Sequence, residues 1–157
     1  MKVYLIHHAE AFTAEQDPVR PINEVGREQS DRIGARLKAI GAAPVRILHS
    51  DKQWTTDTAD RIAAVLGLSD RTETASYPCG TGDPIEPLLN DIKNCSGDIM
   101  MAGHFQFLEH TASHLLCGDE EGDIIAFKPG NGTTFCLEGE GDNWVVAYAW
   151  RDDHPPG

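Results

Sequence analysis

Two of the seven histidines stand where an imidazole can do chemistry. His8 follows the apolar residues 3–6 and His7, and His104 follows residues 98–102 and Gly103. Near neutral pH an imidazole can act as a base, a nucleophile or a metal ligand. Either residue alone reads as an ordinary loop or half-buried histidine. Two at matching places, each just past a short apolar run, read differently, because open α/β sheets keep their ligand crevice at the carboxyl ends of the strands. His110 and His114 are four apart on a helical stretch, a spacing that suits a metal, but Glu109 precedes the first histidine and the H-E-x-x-H order is missing. Cys79, Cys95, Cys117 and Cys136 are widely spaced without a C-x-x-C pair. That fits reduced packing cysteines better than a zinc knuckle or a redox dithiol.

These positions depend on the elements that carry them. Residues 3–6 form the kind of continuous apolar run that is buried on both faces of a parallel sheet. Residues 10–21 read as a loop. Ile33, Leu37 and Ile40 then stripe a helix that stops at Gly41. Residues 45–48 predict a second strand, followed by a helix capped by Thr55 or Thr56, striped with Ala59, Ile62, Ala63 and Leu66, and stopped at Gly67. Asp83-Pro84 reads as the start of a helix bearing Ile85, Leu88, Leu89 and Ile92. Residues 98–102 are the third strand, and Leu108, Ala112, Leu115 and Leu116 stripe the helix after it. Strand and helix alternate at least three times. The expected fold is therefore α/β: a single-domain three-layer sandwich over residues 1–157, with a mostly parallel central sheet and helices on both faces. The tail is β-rich, with residues 123–127, 133–137 and 143–150 expected to extend the sheet at its edge. Trp144, Val146, Tyr148 and Trp150 alternate as if onto one packed face. Asp119-Glu120-Glu121 and Arg151-Asp152-Asp153 read as solvated charge.

Composition narrows the partners. The chain has 157 residues, 40% of them hydrophobic, enough for a core without disulfide or metal staples. Thirteen Lys and Arg against 25 Asp and Glu give a net charge of −12, which repels nucleic acid and anionic membrane alike. An anionic substrate must then be held by a local cluster of donors. The first eight residues carry only a short apolar run broken by histidines, neither a signal core nor a membrane span. A cytoplasmic protein is expected.

Four blocks carry a more specific signal. The first strand leads into His7-His8-Ala9. Arg20-Pro21-Ile22-Asn23-Glu24-Val25-Gly26 follows, then Ser50-Asp51-Lys52-Gln53-Trp54-Thr55-Thr56-Asp57-Thr58-Ala59, then Gly103-His104-Phe105-Gln106-Phe107-Leu108. In order and spacing they resemble the histidine phosphatase (phosphoglycerate mutase-like) superfamily. Its corresponding blocks read Arg-His-Gly, Arg-Pro-Leu-Thr-x-x-Gly, Ser-x-x-x-Arg-Ala-x-Gln-Thr-Ala and Gly-His-x-Pro-x-Leu. The likeness spans Lys2 to about Leu116, and the length suits the small SixA-type phosphohistidine phosphatases. It implies that His8 attacks phosphorus to form a phosphohistidine intermediate, while His104 and Arg20 hold the phosphoryl oxygens. No metal or organic cofactor is called for. The implied substrate is a phosphohistidine-bearing signalling or carrier protein, or a small phosphorylated molecule.

The departures matter as much as the matches. His7 and Trp54 stand where the pattern has arginine, and Asp57 stands where it has glutamine. Removing one oxyanion donor typically costs about 10²- to 10³-fold in kcat. His7 can replace one cation, since a neighbouring phosphate favours the charged form of an imidazole whose ordinary pKa is about 6.5. Trp54 offers an N–H and a ring face but no charge. Lys52 lies on the same turn and is a candidate for the missing charge, though an exposed lysine is the plainer reading. For the general acid the candidates are Asp83 and Glu86. Asp83 is already accounted for as a helix start, and a leaving imidazole departs readily enough to need little help. The leading expectation is a SixA-like phosphohistidine phosphatase. A second is a phosphate-binding or protein-interaction domain that kept the fold and lost catalysis. A third is metal binding through His7, His8 and His104.

Overall fold

In the computed structural model, which describes residues 1–127 and 130–152, six strands and four α-helices follow one another in the order β1 (Lys2–His7), α1 (Glu24–Ala39), β2 (Arg46–His49), α2 (Gln53–Leu66), β3 (Thr72–Thr74), α3 (Glu86–Asn94), β4 (Ile99–Gly103), α4 (Phe105–Cys117), β5 (Thr134–Glu140) and β6 (Asn143–Trp150). The strands make one sheet in the order β3-β2-β4-β1-β5-β6. The first four run parallel, while β5 and β6 are antiparallel additions on the far side of β1. This is the three-layer α/β arrangement with a C-terminal extension of the sheet.

Alternation along the central strands explains the layers. Val3, Leu5, Ile99 and Met101 point to one face and are buried with Leu88 and Ile92 of α3 and Phe107, Leu108 and Ala112 of α4. Tyr4, Ile6, Met100 and Ala102 point to the other and are buried with Ile33 and Leu37 of α1 and Ile62 and Ala63 of α2. Burying each such aliphatic side chain stabilises the fold by about 1.5–3 kcal/mol. The two helices on the second face pack closely because Gly34 has no side chain: a Cβ there would meet the Val65 Cβ at 2.7 Å. Central strands with both faces covered are apolar throughout, and β4 is buried at every residue.

The register of β1 and β4 matters most for function. His7 pairs with Gly103, and the amide of His8 continues the ladder by donating to the Gly103 carbonyl at 3.0 Å. The next residue of each chain segment is His8 and His104, so the two leave neighbouring strands at the same edge.

Several sequence expectations are corrected. Residues 123–127 form no strand; Ile125 and Phe127 are buried as a loop under the first core layer. A short fourth parallel strand, β3, lies instead at the opposite edge, too short and polar to register as an apolar run. Helix α3 starts at Glu86, not at Asp83-Pro84, because the Asp83 carboxylate accepts from the Gly80 amide and closes a turn before the helix begins. Helix α2 starts at Gln53, so Thr55 and Thr56 are inside its first turn and bond back to the Lys52 carbonyl. Ile40 ends α1 as a half-exposed cap residue. The alternating Trp144, Val146, Tyr148 and Trp150 do not share a face. A bulge opposite Cys136 and Leu137 leaves Ala147 unpaired and shifts the alternation, so Trp144 packs on the first core layer and Trp150 on the second. Asp152 is buried in a two-pronged ion pair with Arg32 rather than solvated; Asp153 lies outside the described residues. Among the described residues no helix is long and apolar enough to cross a membrane.

Candidate active site

His8 is held by its backbone on three sides. Its amide bonds to β4, its carbonyl accepts from Asn131 Nδ2 at 2.9 Å, and the following amide, of Ala9, donates to Thr58 Oγ1 at 3.0 Å. The loop beyond it is fixed to α1. Asn23 caps that helix by accepting from the Gly26 amide, and its own amide donates to the Glu10 carbonyl. Gly26 packs directly on that carbonyl, where any side chain would collide with it.

The His8 ring has a defined protonation pattern. Nδ1 lies 2.9 Å from the Ala9 carbonyl, which can only accept, so Nδ1 carries the hydrogen and Nε2 keeps its lone pair. Burial first, and the adjacent His7 second, push the ring's pKa down to about 3, against the opposing pull of the Ala9 carbonyl. At neutral pH, His8 is therefore an uncharged ring with an available nucleophilic nitrogen.

His104 faces it from the end of β4, with ring centroids 5.7 Å apart. Its Nε2 is 3.1 Å from Ser50 Oγ. Thr55 Oγ1 gives its one hydrogen to backbone carbonyls and sits 2.6 Å from Ser50 Oγ, so Ser50 donates to Thr55. Ser50 then accepts from His104, which makes Nε2–H a donor. Burial lowers the His104 pKa as well.

Three further rings close the basket. His7, only 7% exposed, stands 4.6 Å from His8 with Nδ1 donating to the Gly130 carbonyl. Phe105 lies 6.1 Å from His7. Trp54, from the first turn of α2, is 6.0 Å from His8 and 6.2 Å from His104. Arg20 reaches the basket from its loop with its guanidinium carbon 4.5 Å from the centre of the Trp54 ring and Nε donating to the Phe12 carbonyl.

The sequence-derived residues therefore separate into groups. His7, His8, His104, Trp54 and Arg20 converge. Lys52 and Asp83 share a neighbouring cleft of about 510 Å³ with Ser50, Tyr77, Cys79 and His104. Lys52 is 3.7 Å from the Asp51 carboxylate and half exposed, so its charge is partly committed beside the pocket. Glu86 is exposed on α3 and does not line that cleft. Ser50, Thr55, Thr58 and Asn131 support the site without having been singled out. The first three lie within a block already noted, but Asn131 acts on a residue 123 positions away, and nothing near it in sequence marks it. Among the described residues, no three His, Cys, Asp or Glu side chains gather as a metal site.

No protein-family model matches the chain, and no curated protein matches its sequence. Solved structures do match its shape. The protein histidine phosphatase SixA complexed with tungstate is similar with a TM-score of 0.79, at 19% identity over 96% of this chain and 97% of that one. Mycobacterial glucosyl-3-phosphoglycerate phosphatase gives 0.70 at 13% identity, over 96% and 98%. A phosphoserine phosphatase mutant from Entamoeba histolytica in complex with phosphoserine gives 0.65 at 16% identity, over 94% and 95%. At identities this low the likeness concerns shape, and the chain has the fold of the histidine phosphatase superfamily.

Proposed function

We propose that the protein is a divergent member of that superfamily and a phosphatase of SixA type, which takes the phosphoryl group of a protein phosphohistidine onto His8 and releases it as inorganic phosphate. The observation that carries this is the pairing of complementary imidazoles. His8 presents an uncharged Nε2 lone pair, and His104 presents an Nε2–H donor beside it. A tetrahedral oxyanion between the rings would meet a nucleophile on one side and a hydrogen-bond donor on the other.

The chemistry follows in two displacements. The His8 lone pair forms a bond to phosphorus as the bond to the substrate's imidazole nitrogen breaks, and that nitrogen takes up a proton from solvent. Water then attacks the phosphohistidine, phosphate departs, and Nε2 regains its lone pair. His104 can give its hydrogen to a phosphoryl oxygen instead of to Ser50, and Arg20 and His7 flank the same space. The adjoining cleft, with Asp83 on its wall, has room for the leaving side chain. An imidazole is a far better leaving group than an alkoxide, so a site with one modest carboxyl candidate suits a phosphoramidate. The superfamily likeness of the fold and the SixA–tungstate complex support the same reading.

The test is direct labelling. The protein is mixed with a phosphohistidine-bearing carrier or phosphoramidate, quenched in alkali and examined by mass spectrometry. Phosphate on His8, with turnover unaffected by a chelator, is expected. Phosphate binding without label or turnover would instead identify a binding domain that has lost catalysis.

A further inference from the structure

We infer that Trp54 is a positioning residue whose indole face holds the Arg20 guanidinium at the pocket, so that a cation carried on a ring does the work of one anchored in the helix. This rests on the reading that an oxyanion binds between His8 and His104.

Four observations converge on it. Trp54 stands 6.0 Å from the His8 ring and 6.2 Å from the His104 ring and brings no charge of its own, yet the Arg20 guanidinium carbon lies over it, 4.5 Å from its centre. A guanidinium on an indole face is attracted by the ring's negative face while its edges stay open to a ligand. Arg20 is also uncommitted. Arg27, Arg32, Arg46 and Arg61 are each paired with carboxylates, whereas among the described residues Arg20 is in no ion pair. Its Nε donates to the Phe12 carbonyl, which fixes the direction of the fork and leaves the terminal nitrogens without a hydrogen-bond partner among the described residues. Its backbone is in the left-handed region, with φ of 54°, an uncommon state for a residue with a side chain. Finally, the same helix holds both the shelf and the loop that bears the arginine. Asp57, one turn after Trp54, accepts from the Ile22 amide just past Arg20, and the Ala11–Ile22 bridge closes the loop. Two departures from the superfamily pattern, Trp54 and Asp57, thus serve one device.

Tungstate, a phosphate mimic, gives a reading independent of turnover. Its dissociation constant is measured by calorimetry for the unmodified protein, Trp54→Phe, Trp54→Leu, Arg20→Ala and the Trp54→Leu/Arg20→Ala double variant, with near-UV circular dichroism to verify folding. Trp54→Leu should weaken binding about threefold to thirtyfold, the range a cation–ring contact spans, and Trp54→Phe, which keeps a ring, should restore most of it. Arg20→Ala should weaken binding at least as much, and the double variant no further than Arg20→Ala alone. Equal binding by Trp54→Leu, or additive losses in the double variant, would overturn the inference and leave the proposed function standing. Failure of the unmodified protein to bind tungstate would overturn both.

Discussion

The two halves of the pocket are built by different means. The imidazole half is set by the sheet: His8 and His104 follow paired residues of β1 and β4, and their ring hydrogens are directed by the Ala9 carbonyl and by Ser50. The cationic half is set by side chains, with Arg20 on a loop and steadied by one ring and one carbonyl. The difference teaches that a nucleophile needs a fixed lone pair and is best tied to backbone, whereas phosphate-binding charge can be delivered by a long side chain from several starting points.

Variants can break that contrast. His8→Ala removes the proposed acceptor of the phosphoryl group, and turnover should fall about 10⁴-fold or more with no phosphate recovered on the protein. Unchanged turnover would move the nucleophile elsewhere. His104→Ala should lower kcat about 10²- to 10³-fold, as expected for one lost oxyanion donor. Ser50→Ala, which only frees the His104 hydrogen, should change kcat by about tenfold at most; steady-state kinetics of the two separates the donor from its support. The smallest effect is on stability. His8 in the folded protein has a pKa of about 3, below the ordinary value of about 6.5 it has when unfolded. Between those values the unfolded chain binds the extra proton. Stability from this group is full above about pH 6.5 and is lost as pH falls toward 3, by at most roughly 1.4 kcal/mol per pH unit. Urea unfolding at several pH values should show a shallower acid dependence for His8→Asn than for the unmodified protein, and parallel curves would refute the buried neutral ring.

Much of the imidazole half could be read from the chain, because it depends on local patterns. Apolar runs ending in His8 and His104 announce buried strands and their exits, and stripes such as Ala59, Ile62 and Ala63 announce the helices that cover them. Long-range pairing is what the sequence hides. Nothing near Asn131 shows that it will meet the His8 carbonyl, and Thr72–Thr74 is too polar to announce a strand. Ile125 and Phe127 look like part of a strand because burial demands apolar residues in a loop as much as in a sheet. In the cationic half, Trp54 reads from sequence as the loss of a charge. Only the fold shows that this uncharged ring carries the Arg20 guanidinium over its face.

One irregularity in the edge strand has a different consequence. Strand β6 borders the sheet with Val145, Val146 and Tyr148 all well exposed, and a straight border of that kind is a template on which other molecules can add strands. The extra residue at Ala147 kinks it midway. A visiting chain could match hydrogen bonds on one side of the kink but would fall out of step on the other, so the irregularity guards this apolar margin against fibril-like growth.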